Sequence, residues 1–275
     1  MAIEEIAPGV FAETEYRMAN IGCIVTDEGV VQVDAPIAPT EARKWREFVR
    51  SKGELRYFLC THEHPDHISG HGFFSDAQMV CHESIQDKFA GCREMLMDFL
   101  PKIGLEDDRD FTGFSVREPT LLFSERMTLR VGGRRIDFII GDGHTPSHGM
   151  VWLREEGVLF AGDNVVNGWP PFCHNAVIAG WSDTLTRIHD EIRPRLIVPG
   201  HGPICDATFA LSVRDILEDV KNEVASLLAE GKSREEIIEA VPFIDRFEVP
   251  EWFAGMADLL RKATIGTLYD HCKGE

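Results

Sequence analysis

The stretch Thr61-His62-Glu63-His64-Pro65-Asp66-His67 decides how the rest of the chain is read. Three imidazoles and a carboxylate (His62, His64, Asp66, His67) fall within six residues, directly after residues 55–60, an apolar run that reads as a buried strand. In extended backbone, residues i and i+2 point the same way, so His62 and His64 can grip one ion from a single face. Asp66 and His67 lie past a proline-kinked turn and can aim at a neighbouring ion instead. A polar loop at a strand end could carry the same residues, but the arrangement recurs downstream.

Working outward, an apolar strand that runs into glycine and a metal-capable side chain appears three more times. A hairpin of residues 128–131 and 135–140 around Gly132-Gly133 ends in Gly143-His144-Thr145-Pro146-Ser147-His148. A second hairpin, 150–153 and 158–161, ends in Gly162-Asp163, and a strand at 196–198 runs into Pro199-Gly200-His201-Gly202. Upstream, residues 10–34 read as a small antiparallel meander closed by Asp34. A helix is expected over 40–49, with Thr40 as N-cap and a stop at Gly53. Further helices are expected over 68–75, 83–100 and 184–192, a strand over 79–81, and a polar, acidic loop over 106–118. The tail differs in kind: helical periodicity over 209–228, a Ser233/Glu236 capping box opening a second helix, and a third over 252–268.

Composition narrows the function classes. Hydrophobic residues at 44% and charged residues at 27% over 275 positions describe an ordinary globular protein. A formal charge of −18 with no basic stripe argues against nucleic acid as a partner. The start of the chain lacks a basic and apolar leader, and no apolar run approaches membrane-spanning length, so a cytoplasmic protein without membrane contact is expected. The seven cysteines are scattered and form no Cys-x-x-Cys pair, so any metal should be held by nitrogen and oxygen.

Taken together, His-x-His-x-Asp-His at 62–67, Gly-His-Thr-Pro at 143–146, Gly-Asp at 162–163 and Pro-Gly-His-Gly at 199–202 resemble the metallo-β-lactamase-fold hydrolase superfamily. The resemblance implies an α/β (α+β) architecture, a four-layer αββα sandwich over residues 1–206, followed by a C-terminal helical extension over 207–275. It implies one metal site of His62, His64 and His144, a second of Asp66, His67 and His201, and Asp163 bridging them. Asp34 would orient a ligand from behind. The implied cofactors are two divalent ions, zinc first, with iron or manganese as alternatives. Held about 3.5–4 Å apart, such ions can share a hydroxide at neutral pH and polarise a substrate carbonyl or phosphoryl oxygen. Asp66 is the side chain in reach of the nucleophile's proton, though a ligand carboxylate is a weak base.

Gly162-Asp163 selects the branch, because true β-lactamases of this fold lack the bridging aspartate. Its presence points to glyoxalase II-like and lactonase-like hydrolases. Glyoxalase II itself fits poorly: the loop after Asp163 lacks its Cys-Gly pattern, and Arg261-Lys262 is the tail's only adjacent basic pair. The expected reaction is cleavage of an ester, thioester or lactone of a small, more apolar substrate. An iron-dependent sulfur dioxygenase on the same fold is the alternative. Trp169, Phe172 and residues 95–99 line either that substrate's pocket or a core or subunit contact, and the tail is a subdomain or the arm of a homodimer. His148 is expected to pack beside the site, His71 and His189 to be core or surface, and His82 and His174 to lie near strand ends or the pocket loop.

Overall fold

The computed structural model describes residues 3–274; Met1, Ala2 and Glu275, which the reading of the chain start and the outer domain limits touch, lie outside the described residues. Two sheets face one another. The first contains β1 (Glu4–Ala7), β2 (Val10–Glu13), β3 (Ile21–Thr26), β4 (Gly29–Val33), β5 (Leu55–Leu59), β6 (Gln78–His82) and β7 (Leu121–Phe123), adjacent in that order. It is antiparallel from β1 to β4 and parallel from β4 to β7. The second contains β8 (Arg126–Val131), β9 (Arg134–Ile140), β10 (Gly149–Leu153), β11 (Val158–Val166) and β12 (Leu196–His201), antiparallel except for the β11–β12 pair.

Side chains alternate across each strand, which is why two-sided burial follows from the sequence. Val31, Leu59, Val80, Val151 and Phe160 point between the sheets. Phe58, Met79 and Cys81 point the other way, onto Ala42, Trp45 and Val49 of helix α1 (Pro39–Lys52). Met150, Trp152 and Leu159 point outward from the second sheet onto Trp181 and Leu185, carried by a helix over residues 178–187. The layers are therefore helix, sheet, sheet, helix, as expected. The remaining helices are α2 (Pro65–Ile68), α3 (Cys92–Phe99), α4 (Ile178–Arg187), α5 (Thr208–Ala229), α6 (Arg234–Ala240) and α7 (Ala254–Gly274). No helix among the described residues is long and apolar enough to cross a membrane.

Several boundaries differ from expectation for local reasons. Thr40 does not cap α1; Ala38 holds that position, and Thr40 bonds through its N–H and hydroxyl to Asp108. The helix does stop at Gly53. The expected helix over 83–100 is divided into a 3-10 stretch, Glu83–Gly91, and α3. The helix expected from Thr184 begins at Ile178, and Thr184 donates its hydroxyl to the Asp142 carbonyl. The Ser233/Glu236 capping box is present with both of its hydrogen bonds.

The tail helices do not stand apart. Ala210, Val213 and Leu217 of α5 complete the outer core of the second sheet. Val220, Val224, Ile237, Ile265 and Leu268 join Leu96, Leu100, Ile103 and Phe172 in a further core beside the carboxyl ends of the strands.

Candidate metal centre

Each strand that was expected to deliver a ligand ends at the same place. The β5 carboxyl end leads into residues 61–64, and α2 carries Asp66 and His67. The loop after β9 carries His144, β11 carries Asp163, and β12 ends on His201. Two sets of ligand-capable atoms result: His62, His64, His144 and Asp163, and beside them Asp66, His67 and His201. All seven expected residues are brought together, and Asp163 touches both sets. Its Oδ2 lies 3.3 Å from His144 Nε2, 3.8 Å from His62 Nε2 and 3.4 Å from His201 Nε2. Asp66 Oδ2 lies 3.3 Å from His201 Nε2 and 3.6 Å from His67 Nε2.

The opposite nitrogen of each ring decides what faces the centre. His67 Nδ1 donates to Asp34 Oδ2 at 2.8 Å, His144 Nδ1 to the Phe172 carbonyl at 2.8 Å, and His201 Nδ1 to the Met18 carbonyl at 3.0 Å. The Thr61 hydroxyl donates to Asp34 Oδ2, so His62 Nδ1 must donate to that hydroxyl at 3.0 Å. All four rings thereby turn Nε2 inward. His64 presents Nδ1, 2.8 Å from His144 Nε2. His62 Nε2, His67 Nε2 and Asp163 Oδ1 are buried without a hydrogen-bond partner. Although His67 Nε2 and Asp163 Oδ1 are only 3.0 Å apart, they are not aligned for a hydrogen bond. Buried ring nitrogens and a carboxylate oxygen that converge without hydrogen-bond partners fit a divalent cation.

Burial and charge set the protonation states. Burial pushes His62 and His144 well below the ordinary histidine range and His64 down to about 4, so all three are neutral, as ligands must be. Burial alone would also lower His67 and His201. Asp163 and Asp66 overrule it, lifting His67 well above its usual value and His201 to about 10. Burial likewise opposes ionisation of Asp66 and Asp163, and the neighbouring histidines nevertheless hold both below the usual carboxylate range.

Backbone strain is concentrated here. Asp34 adopts φ +53° and Met18 φ +79°, conformations costing about 1–3 kcal/mol each for residues with a side chain. The first aims one carboxylate at Thr61 N, Thr61 Oγ1 and His67 Nδ1; the second aims a carbonyl at His201.

Beside the cluster opens a pocket lined by His64, Asp66, His144, Asp163 and His201 together with Met18, Phe99, Trp169, Phe172 and His174. Of the expected pocket residues, Trp169, Phe172 and Phe99 do line it. Met95 packs on the core around α1, Leu96 is buried against the tail helices, and Met97 is exposed. His148 stacks on His62 with ring centroids 4.5 Å apart, beside the site as expected, and burial holds its pKa at about 3. His174 stacks on His64 at 4.7 Å. His71 is a buried core histidine, and His82 is tied to Ser84 and the Ser124 carbonyl, outside the pocket. Sequence reasoning missed Met18 and Asn164. The Asn164 side chain accepts from His144 N and donates to the Gly141 carbonyl, pinning the ligand loop. A polar residue inside an otherwise apolar strand was the available signal for Asn164; Met18 had none.

A sandwich of two sheets carrying a His/Asp cluster at the strands' carboxyl ends is the scaffold of a metal-dependent hydrolase. The chain belongs to the metallo-beta-lactamase superfamily, whose family model matches residues 15–203. It is 24% identical over 201 residues to metallo-beta-lactamase IND-1 of Chryseobacterium indologenes, covering 70% of this chain and 75% of that one. It is 25% identical over 187 residues to a beta-lactamase-like protein 2 homolog of Caenorhabditis elegans, covering 68% of this chain and 55% of that longer one. The solved structure of a metallo-beta-lactamase family protein from Thermus thermophilus superposes with a TM-score of 0.69 at 22% identity, covering 98% of this chain and 95% of that one. That last likeness includes the tail helices and is a likeness of fold.

Proposed function

We propose that this protein is a two-metal hydrolase that cleaves an ester, thioester or lactone of a small molecule, with neither nucleic acid nor membrane as a partner. The observation that carries the reading is the convergence of seven ligand-capable side chains, six of them buried and His64 half-buried, in two adjacent sets that meet at Asp163. His62, His64 and His144 would hold one ion, Asp66, His67 and His201 the other, and Asp163 both. Bound there, two divalent ions supply a nucleophilic hydroxide at neutral pH and draw electron density from a substrate carbonyl.

The chain's own groups do the rest. Phe172, Met18 and Thr61 fix the ring orientations of His144, His201 and His62 through the bonds described above. Trp169, Phe172 and Phe99 keep bulk water from the scissile bond, which strengthens every charge interaction at the centre. Asp66 lines the pocket and can relay a proton to the leaving group. As a ligand carboxylate it would be a weak base, so it would pass the proton on rather than keep it.

Elemental analysis beside a panel of lactone, thioester, phosphodiester and β-lactam substrates tests the reading. Two zinc or manganese ions per chain with ester, thioester or lactone turnover is the expected result. One iron per chain would favour mononuclear sulfur oxidation instead. Metal-free purified protein, or full hydrolysis after His62→Ala, would sink the proposal.

A further inference from the structure

The tail contributes a wall to the pocket that no ligand motif announces. Phe253, on the turn leading into α7, and Met256 and Leu260, on successive turns of that helix, line the same pocket as Met18, Phe99, Trp169 and the metal-facing residues. The wall is fixed, not a loose flap. Trp169 lies 5.1 Å from the His201 ring and 5.1 Å from Phe253, and the Cys173 N–H is bonded to Thr264 of α7 at 2.9 Å. Apart from the five metal-facing residues and His174, the lining is apolar, and it includes no Lys or Arg. The nearby Arg17 is committed to the Ile103 carbonyl and to the face of Trp252. A substrate with an anionic far end would meet no counter-charge here, in a chain whose net charge is already −18.

We propose that the substrate carries a flexible, uncharged hydrocarbon tail, and that Phe253, Met256 and Leu260 form the surface that selects it. The tail lies along α7 while the scissile group rests at the His/Asp cluster, since the same pocket contains both. Unbranched methionines at Met18 and Met256 suit a chain of variable conformation better than a flat ring. The inference rests on the hydrolase reading for the scissile group, but the tail site has a test of its own.

Trp169 in the pocket supplies a fluorescence signal for titration with the primary amides butanamide, hexanamide and octanamide. Burial of a methylene contributes about 0.8 kcal/mol, so Kd should fall about fourfold per added carbon. Met256→Gln and Leu260→Gln, both at partly exposed positions where glutamine is tolerated, should each flatten that dependence. A Kd independent of chain length, tighter binding of benzamide than of heptanamide, or an unchanged length dependence in both folded variants overturns the tail site. The metal-loaded protein is then assayed with 4-nitrophenyl acetate, butyrate, hexanoate and octanoate, and kcat/KM should climb along the series. Length-dependent amide binding without turnover of any ester supports the tail site and removes the hydrolase reading. Turnover with no length preference removes the tail site and keeps the hydrolase.

Discussion

Asp34 shows how much of the site depends on groups that touch no substrate. Two oxygens receive two donors from Thr61 and one from His67, all buried. Asp34→Ala leaves those donors unpaired, with an expected loss of about 2–4 kcal/mol in denaturant unfolding and about 10–100-fold in metal affinity. The ligands themselves separate by which set they serve. Asp66→Ala should strip one ion and most activity while leaving the other largely bound, whereas Asp163→Ala should weaken both; elemental analysis of the two variants distinguishes them. Loss of both ions from Asp66→Ala would tell against the division. The raised pKa values of His67 and His201 give a pH prediction with a definite sign. Both rings are protonated in the metal-free protein at neutral pH, so a metal must displace their protons. Metal affinity should therefore rise between about pH 6 and 8, by up to about tenfold per pH unit for each ring, with proton release on loading seen in weakly buffered solution. The ligand identities were legible because their spacing lies within short motifs. Which nitrogen His144 and His201 offer was not, because their partners are the carbonyls of Phe172 and Met18, distant in sequence and brought near only by folding.

Strand β11 was expected to end at Ala161, just before Gly162-Asp163. It continues to Val166 because β12 pairs with it in parallel as far as Val166 and His201. That pairing is close: a Cβ on Gly200 would stand 1.8 Å from Asp163 Oδ1 and 2.7 Å from Asp163 N. Gly200→Ala is therefore expected to retain the far-ultraviolet circular dichroism of the fold while losing most bound metal and activity. Gly162 follows the same logic at φ +51°, with His148 Nε2 2.5 Å from where a Cβ would be. At the other end of the pocket, α7 holds the loop after Asp163 through Thr264. Thr264→Val leaves the buried Cys173 N–H without its acceptor, with an expected cost of about 1–3 kcal/mol in thermal or denaturant unfolding. Helix and strand centres followed from periodicity, while their ends did not. Thr40, Gly91 and Thr184 are settled by contacts with Asp108 or Asp142 and by a change of helix type, none of which periodicity encodes.

The two sheets, the outer helices and the tail share their cores, so the boundary near residue 206 is a boundary of sequence pattern more than of packing. Removing residues 207–275 would bare Trp181 and Leu185 on one side and Leu100, Ile103 and Phe172 on the other. The truncated chain is expected to aggregate or to elute as a large species in size exclusion, where the full chain gives a discrete peak. The same packing explains the division between motif and fold. Four short motifs carried the family, the layer order and all seven candidate ligands, because coordination chemistry demands particular residue types at close spacing and strand alternation demands a particular period. Only the tertiary structure brought Met256 and Leu260 into one pocket with His201 and turned the Nε2 atoms of His62, His67, His144 and His201 inward. Those relations join residues far apart in the chain, and contact over such separations is decided by how sheets and helices pack, which no local pattern records.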